Sequence, residues 1–211
     1  MGAPDLGEDR IHFYRVQNSP AISALTEIAL PPGSGPRHGV FQTAGNSTFS
    51  HLVSELANNV TSFKVSYDGN NSISMTQIGQ VSTFGDKPVP AGALAGEIII
   101  SPDGFVANSN RLDNSFTVPS LDPSNPAQEQ SDSLAIVKAD KQGKPSFANF
   151  YLVGCQSPRQ IQANNDGSLL AAACMANDRV VIIERNNATG EIGKVVANYG
   201  ITVATFVGWD E

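Results

Sequence analysis

The sequence predicts an all-β chain, a β-propeller of four-stranded blades, and three observations predict it. Short strand-like runs follow one another with no helix between them, turn chemistry separates the runs, and one polar-to-glycine pattern repeats in register.

The runs come in order along the chain. Ile11–Val16 alternates apolar and polar residues, and Ile22–Ala29 follows a Ser-Pro break. Thr48–Glu55, Val60–Val65 and Ser72–Val81 come next, then Ile98–Ser101 and Phe105–Ser109. Ser133–Ala139, Phe147–Val153, Ser168–Met175, Val180–Arg185 and Val203–Trp209 complete the set. Each is rich in β-branched or aromatic residues and is bounded by Gly, Pro, Asn or Asp, the punctuation of strands. No window sustains a helical apolar period. Thr48–Ala57 comes nearest, and its Ser/Thr/Phe start argues for a strand.

Internal repetition selects the propeller among all-β folds. Pro36-Arg37-His38 aligns with Ala95-Gly96-Glu97 and with Pro158-Arg159-Gln160, at offsets of 59 and 63 residues. Seven places after the third residue of each triplet stands a glycine: Gly45, Gly104 and Gly167. Ser101-Pro102-Asp103-Gly104 and Asn164-Asn165-Asp166-Gly167 are hairpin turns by composition, with Asp103 and Asp166 as turn formers. A strand, a polar corner and an apolar strand follow each glycine. A four-strand unit repeated at roughly 40–60 residues is what blades produce. The single domain divides on this reading into units 9–57, 58–130, 131–176 and 177–211.

Equivalent positions in neighbouring blades lie at one height around the axis, so His38, Glu97 and Gln160 would converge at one mouth of the channel. Arg37 and Arg159 share the position before. Residues that only pack repeat their type from blade to blade; here an imidazole, a carboxylate and an amide replace one another, which points to a site. Polar strand ends facing solvent would give a similar pattern. His12 and His51 read as structural, and Arg111 reads either as a partner of carboxylates between blades or as a substrate contact.

Composition excludes other classes. Apolar residues make up 40% and charged residues 16%, with 19 Gly and 13 Pro. That is a globular profile of short strands, not a disordered one. Net charge is −7 with no basic run, which argues against nucleic acid as a partner. No stretch approaches the roughly 20 apolar residues of a membrane span, and Met1–Asp9 does not read as a signal peptide. Cys155 and Cys174 read as two buried thiols, without the spacing of a metal site. No G-x-S-x-G, cysteine–histidine motif or Gly-rich phosphate loop is present, so neither a covalent nucleophile nor a cofactor is expected.

Several segments resemble the seven-bladed lactonase propellers, a family that includes fungal carboxy-cis,cis-muconate cyclase and bacterial 6-phosphogluconolactonase. They are Gly33-Ser34-Gly35-Pro36-Arg37-His38, Gly96-Glu97 through Asp103-Gly104 with Ser109-Asn110-Arg111, and Ser157-Pro158-Arg159 with Asn165-Asp166-Gly167. Leu6–Ile11 and Arg185–Glu191 resemble blade openings of the same family, and the overall texture is most similar to the fungal cyclase-like members. The resemblance implies a ring of seven blades of which this chain holds about four. It implies catalytic roles for His38, Glu97 and Arg159, while Arg37, Gln160 and Arg111 are expected as substrate contacts on the reading of the repeat itself. A further family arginine expected between the histidine and the glutamate has no counterpart; Lys87 is the nearest cation there.

Closing a lactone adds a carboxylate across a double bond while a proton reaches the adjacent carbon. Opening one needs an activated water and a cation for the developing oxyanion. Both need cations for an anionic substrate and a proton donor or acceptor, typically worth about 10²–10⁴-fold. The expected function is therefore formation or opening of the lactone of a small carboxylated substrate, with muconate cyclisation first and 6-phosphogluconolactone hydrolysis second. A non-catalytic binding propeller and an inactive fragment are the readings from other classes. Seven blades take about 300–350 residues, so an N-terminally truncated member is expected, with self-association through exposed blade edges. Four sequons begin at Asn46, Asn59, Asn70 and Asn187. Localisation leans to the cytoplasm, with secretion as the alternative.

Overall fold

The computed structural model describes residues 1–17, 21–68, 72–122 and 124–210. The Ser-Pro break at 19–20 and the asparagines of the sequon at 70–72 lie outside the described residues.

Four blade-like antiparallel sheets succeed one another. The first holds β1 (Gly2–Asp5), β2 (Arg10–Val16) and β3 (Ile22–Ala29). The second holds β4 (Pro36–Ala44), β5 (Ser47–Ser54), β6 (Asn59–Tyr67) and β7 (Ile73–Ser82). The third opens with β8 (Leu94–Ile100) and β9 (Val106–Arg111), leaves for a separate hairpin of β10 (Phe116–Pro119) and β11 (Gln128–Ser131), and resumes with β12 (Ser133–Ala139) and β13 (Pro145–Leu152). The fourth holds β14 (Pro158–Ala163), β15 (Leu169–Cys174), β16 (Arg179–Arg185) and β17 (Ile192–Gly200). Among the described residues the only helix is one 3-10 turn, Met175–Asn177. The chain is an all-β partial propeller, as its sequence predicts.

Strands β4, β8 and β14 pack side by side and are the inner strands of their blades. Apolar faces meet between blades. Ile11 and Phe13 of the first sheet pack with Leu52 and Phe63 of the second. Val53 and Val60 meet Ala95, Ile98 and Val106 of the third, and Leu134 and Ile136 meet Leu170 and Ile183 of the fourth. Fully burying one such aliphatic side chain contributes about 1.5–3 kcal/mol, so the blades hold one another by their faces. Polar bonds fix the angles between them. The Asp9 carboxylate accepts from the Gly33 and Gly35 N–H groups, each at 2.7 Å. The Asp132 carboxylate accepts from Leu112, Asn114 and Ser157 N–H.

Three expectations are corrected. The sheets span 2–29, 36–82, 94–152 and 158–200, so the expected unit boundaries at 57/58, 130/131 and 176/177 fall inside blades. The repeated glycine marks each turn but does not say which strand is innermost. Val203–Trp209 is not a strand; it runs beside β14, where Val207 N–H donates to Gln160 Oε1 and the Trp209 indole N–H to the Gln162 carbonyl. Cys155 and Cys174 are joined in a disulfide rather than standing as separate thiols. Cys155 lies in the turn before β14 and Cys174 ends β15, and the two approach because Pro158 pairs with Cys174 across the ladder.

The bridge closes a loop of sequence separation 19, which constrains the unfolded chain by roughly 3 kcal/mol. Urea unfolding of the Cys155→Ser/Cys174→Ser double variant is expected to show a loss of that size relative to the oxidised chain. An unchanged midpoint would show that the bridge contributes nothing.

Candidate active site

A β-bulge sits at the head of every inner strand. The register shifts between Pro36 and His38 in β4, between Ala95 and Ile98 in β8, and between Pro158 and Gln160 in β14. The extra residue in each bulge turns the strand and re-aims its side chains. Arg37, Gly96-Glu97 and Arg159 are the residues so displaced, which explains why the repeat alignment is also a structural one.

In β8 a glycine replaces the arginine of the other two blades, and packing explains it. A Cβ on Gly96 would lie 2.5 Å from Ser109 Oγ and 3.2 Å from the Pro158 carbonyl. Ser109 Oγ occupies that space because it accepts from Glu97 N–H at 2.9 Å and donates to the Pro158 carbonyl at 2.8 Å. One hydroxyl thus joins the bulge carrying Glu97 to the strand carrying Arg159.

The structure brings His38 and Glu97 together, with Nδ1 to Oε1 at 3.4 Å. That is just beyond hydrogen-bonding distance. The Glu97 side chain is largely buried, whereas the His38 ring is 44% exposed at the mouth. Burial, followed by the charges of Arg37 and Arg159, holds His38 down at about 4. Burial likewise pushes the Glu97 carboxyl above its ordinary range, against a bond from Ile98 N–H and the charge of Arg37. Both shifts favour the uncharged forms, so His38 is a neutral imidazole at physiological pH.

The arginines divide. Glu55, just beyond β5, forms ion pairs through one oxygen, Oε2, with Arg37 Nε at 2.8 Å and Arg111 Nη2 at 2.7 Å. Arg37 also donates to the Gly96 carbonyl and Arg111 to the Ala95 carbonyl. Burial and the neighbouring Arg111 hold Arg37 below its ordinary value. Arg111 is buried and tied between blades, so the inter-blade reading of it holds and a substrate contact does not follow. Arg159 has no hydrogen bond or ion pair among the described residues, yet it lies near enough to act on Arg37 and His38. Among the described residues at the mouth it is the arginine without a carboxylate partner. Gln160 lines the groove, with its amide tied to Val207 N–H and to the Ile161 carbonyl. Lys87 lies elsewhere, 4.5 Å over the ring of Phe150 on β13.

Below the mouth a groove of about 760 Å³ runs along the inner strands, lined by Val40, Gln42, Glu97, Ile99 and Gln162 among others. His51 is fully buried behind it and structural, as expected: Ser62 Oγ lies 2.7 Å from its Nδ1 and Gln42 Oε1 3.0 Å from its Nε2. Burial also holds His51 down at about 4.

Glu55 was not among the sequence-derived candidates. Leu94 pairs with Arg111, Ala95 with Asn110 and Pro36 with Ser54, so Glu55 and Arg111 hold one repeat position in adjacent blades. Extending the triplet alignment to the second strand of each blade exposes that pairing. Unequal hairpin lengths conceal it in the linear sequence.

The family model described as "Lactonase, 7-bladed beta-propeller" matches residues 1–209. The chain belongs to the seven-bladed lactonase propeller family. A protein of Arthroderma benhamiae named "Probable 6-phosphogluconolactonase" is 36% identical over 192 residues, covering 90% of this chain and 45% of that one. The 6-phosphogluconolactonase of Formosa agariphila is 27% identical over 198 residues, covering 90% and 49%. Among solved structures, the periplasmic gluconolactonase of Pseudomonas aeruginosa superposes with a TM-score of 0.75 at 25% identity, over 97% of this chain and 52% of that one. A Lactobacillus plantarum protein superposes at 0.78 with 22% identity, which speaks for the fold alone. The chain spans about half the length of these relatives.

The two depressed histidines make folding sensitive to acid. Below about 6.5 the unfolded chain binds protons that folded His51 and His38 refuse until about 4. Stability is therefore full above pH 6.5 and falls as pH drops towards 4. The buried His51 alone accounts for roughly 3 kcal/mol by pH 4. Denaturant titrations across that range, with imidazole shifts followed by NMR, are expected to show both effects. A stability independent of pH from 7 to 4, or an ordinary His38 titration, would contradict this electrostatic description.

Proposed function

We propose that this lactonase-family chain carries the lactone-opening site of a sugar-acid lactonase of the 6-phosphogluconolactonase type. The observation that supports it is the juxtaposition of a neutral His38, a largely buried Glu97 and an uncommitted Arg159 at the bulged heads of three inner strands. Hydrolysis replaces muconate cyclisation as the leading reading, because the curated relatives are named for lactone opening and the arginine expected between His38 and Glu97 is missing.

The chemistry follows from the geometry. A water held at His38 Nε2 gives its proton to the imidazole while its oxygen attacks the lactone carbonyl carbon. Glu97, facing Nδ1, fixes the tautomer and stabilises the imidazolium that forms. Arg159 stabilises the oxyanion of the tetrahedral intermediate. The carbon–oxygen bond of the ring then breaks, and the imidazolium returns the proton to the leaving alkoxide. Ring opening leaves a carboxylic acid, which ionises.

Cation supply bears on the substrate. Glu55 occupies Arg37 and Arg111, leaving Arg159 alone to meet an anion, so the described half of a mouth suits a lactone of low charge. A phosphate dianion calls for further cations.

Purified chain is expected to open 6-phosphogluconolactone or gluconolactone faster than the spontaneous rate. Glu97→Gln should lower kcat/KM by about 10²–10⁴-fold, and the acid limb of the profile should lie near pH 4 instead of 6.5. Catalysis that survives Glu97→Gln, or turnover of 3-carboxy-cis,cis-muconate with neither lactone accepted, would overturn the proposal.

A further inference from the structure

Three structural features outside the mouth point to one modification. The sequon at Asn46 falls on the tight turn between β4 and β5, where Ala44 pairs with Ser47 and Asn46 is exposed. The sequon at Asn187 falls on the turn between β16 and β17, where Asn187, Ala188 and Thr189 are all exposed. The Asn186 side chain folds this turn by accepting from Ala188 and Thr189 N–H, which lifts Asn187 clear. Asn187 Nδ2 donates to the Asp166 carbonyl at 3.1 Å. An N-glycosidic bond replaces one of the two amide hydrogens and leaves the other for that contact.

The sequon at Asn59 differs in each respect. Asn59 opens β6 within the ladder, paired with Ser54 on one side and Ser82 on the other. Its carboxamide oxygen accepts from Thr61 Oγ1, and Thr61 is 7% exposed. A glycan is bulky and hydrated, and here it would stand on a half-buried residue held within the ladder.

Strand direction then places the acceptors. Inner strand β4 starts at the mouth and ends at the turn holding Asn46. β16 starts beside the mouth-side turn at Met175–Asn177 and runs to the turn holding Asn187. Asn46 and Asn187 therefore share the face opposite the mouth, whereas Asn59 lies on the mouth side. The Cys155–Cys174 disulfide independently indicates an oxidising compartment, where such bonds persist.

We propose that Asn46 and Asn187 carry N-linked glycans, added as the chain matures in an oxidising compartment, and that Asn59 carries none. The oligosaccharides stand on the far face and leave the mouth uncovered.

The test is peptide mapping of the protein from its source cells, alkylated on lysis and then de-N-glycosylated in ¹⁸O water. Labelled aspartate at positions 46 and 187, unlabelled Asn59 and unalkylated Cys155 and Cys174 are expected. Asn46→Gln and Asn187→Gln should each remove one glycan's mass from the secreted protein. Unmodified Asn46 and Asn187, or alkylation of both cysteines, would overturn the proposal. A glycan on Asn59 would overturn the part that rests on burial.

Discussion

The bulge at the head of each inner strand is the constraint on which the site depends. A regular ladder sends alternate side chains to opposite faces of a blade, so three successive blades would present their first polar residues to neighbouring sheets as well as to the axis. One extra residue at Arg37, at Gly96-Glu97 and at Arg159 turns these side chains towards a shared mouth. Ser109 holds the central bulge against its neighbour, and the close approach of that hydroxyl leaves room only for glycine at position 96. The geometry of the mouth is thus set by backbone irregularity, with the side chains following.

Charge completes what the bulges begin. Three arginines gathered near one imidazole repel one another, and burial raises that cost. Glu55 relieves it by binding two of them through one oxygen, which ties Arg37 and Arg111 to the frame of the blades. Burial, followed by the charges of Arg37 and Arg159, still disfavours a charged His38, so the imidazole at the mouth is kept neutral. The disulfide contributes from outside the groove: it ties the turn leading into Arg159 to the end of β15, adjacent to the bulge itself.

Much of this was legible in the residues. The triplets at 36–38, 95–97 and 158–160 identified inner-strand heads correctly, because a structural repeat in a propeller conserves position even where side chains diverge. Strands with branched or aromatic runs, such as Val60–Val65 and Val180–Arg185, were equally plain. The polar strands β11 and β14 were less so, since Gln128–Ser131 and Pro158–Ala163 take their strand character from hydrogen-bonded neighbours and not from apolar alternation. Glu55 was hidden for a related reason: its partners lie in another strand and another blade, and no local pattern announces a long-range ion pair. The disulfide between Cys155 and Cys174 depends on Pro158 pairing with Cys174, a register that spacing alone does not reveal.

The central claim is that the three bulges build a ligand site at the mouth between His38, Glu97 and Arg159. A crystal structure of the chain soaked with D-gluconate, the product of lactone opening, tests it most directly. The account predicts the gluconate carboxylate on the Arg159 guanidinium, with His38 Nε2 and Glu97 within reach of the carboxyl carbon. Gluconate ordered only elsewhere on the molecule, with Arg159 left in solvent, would contradict it.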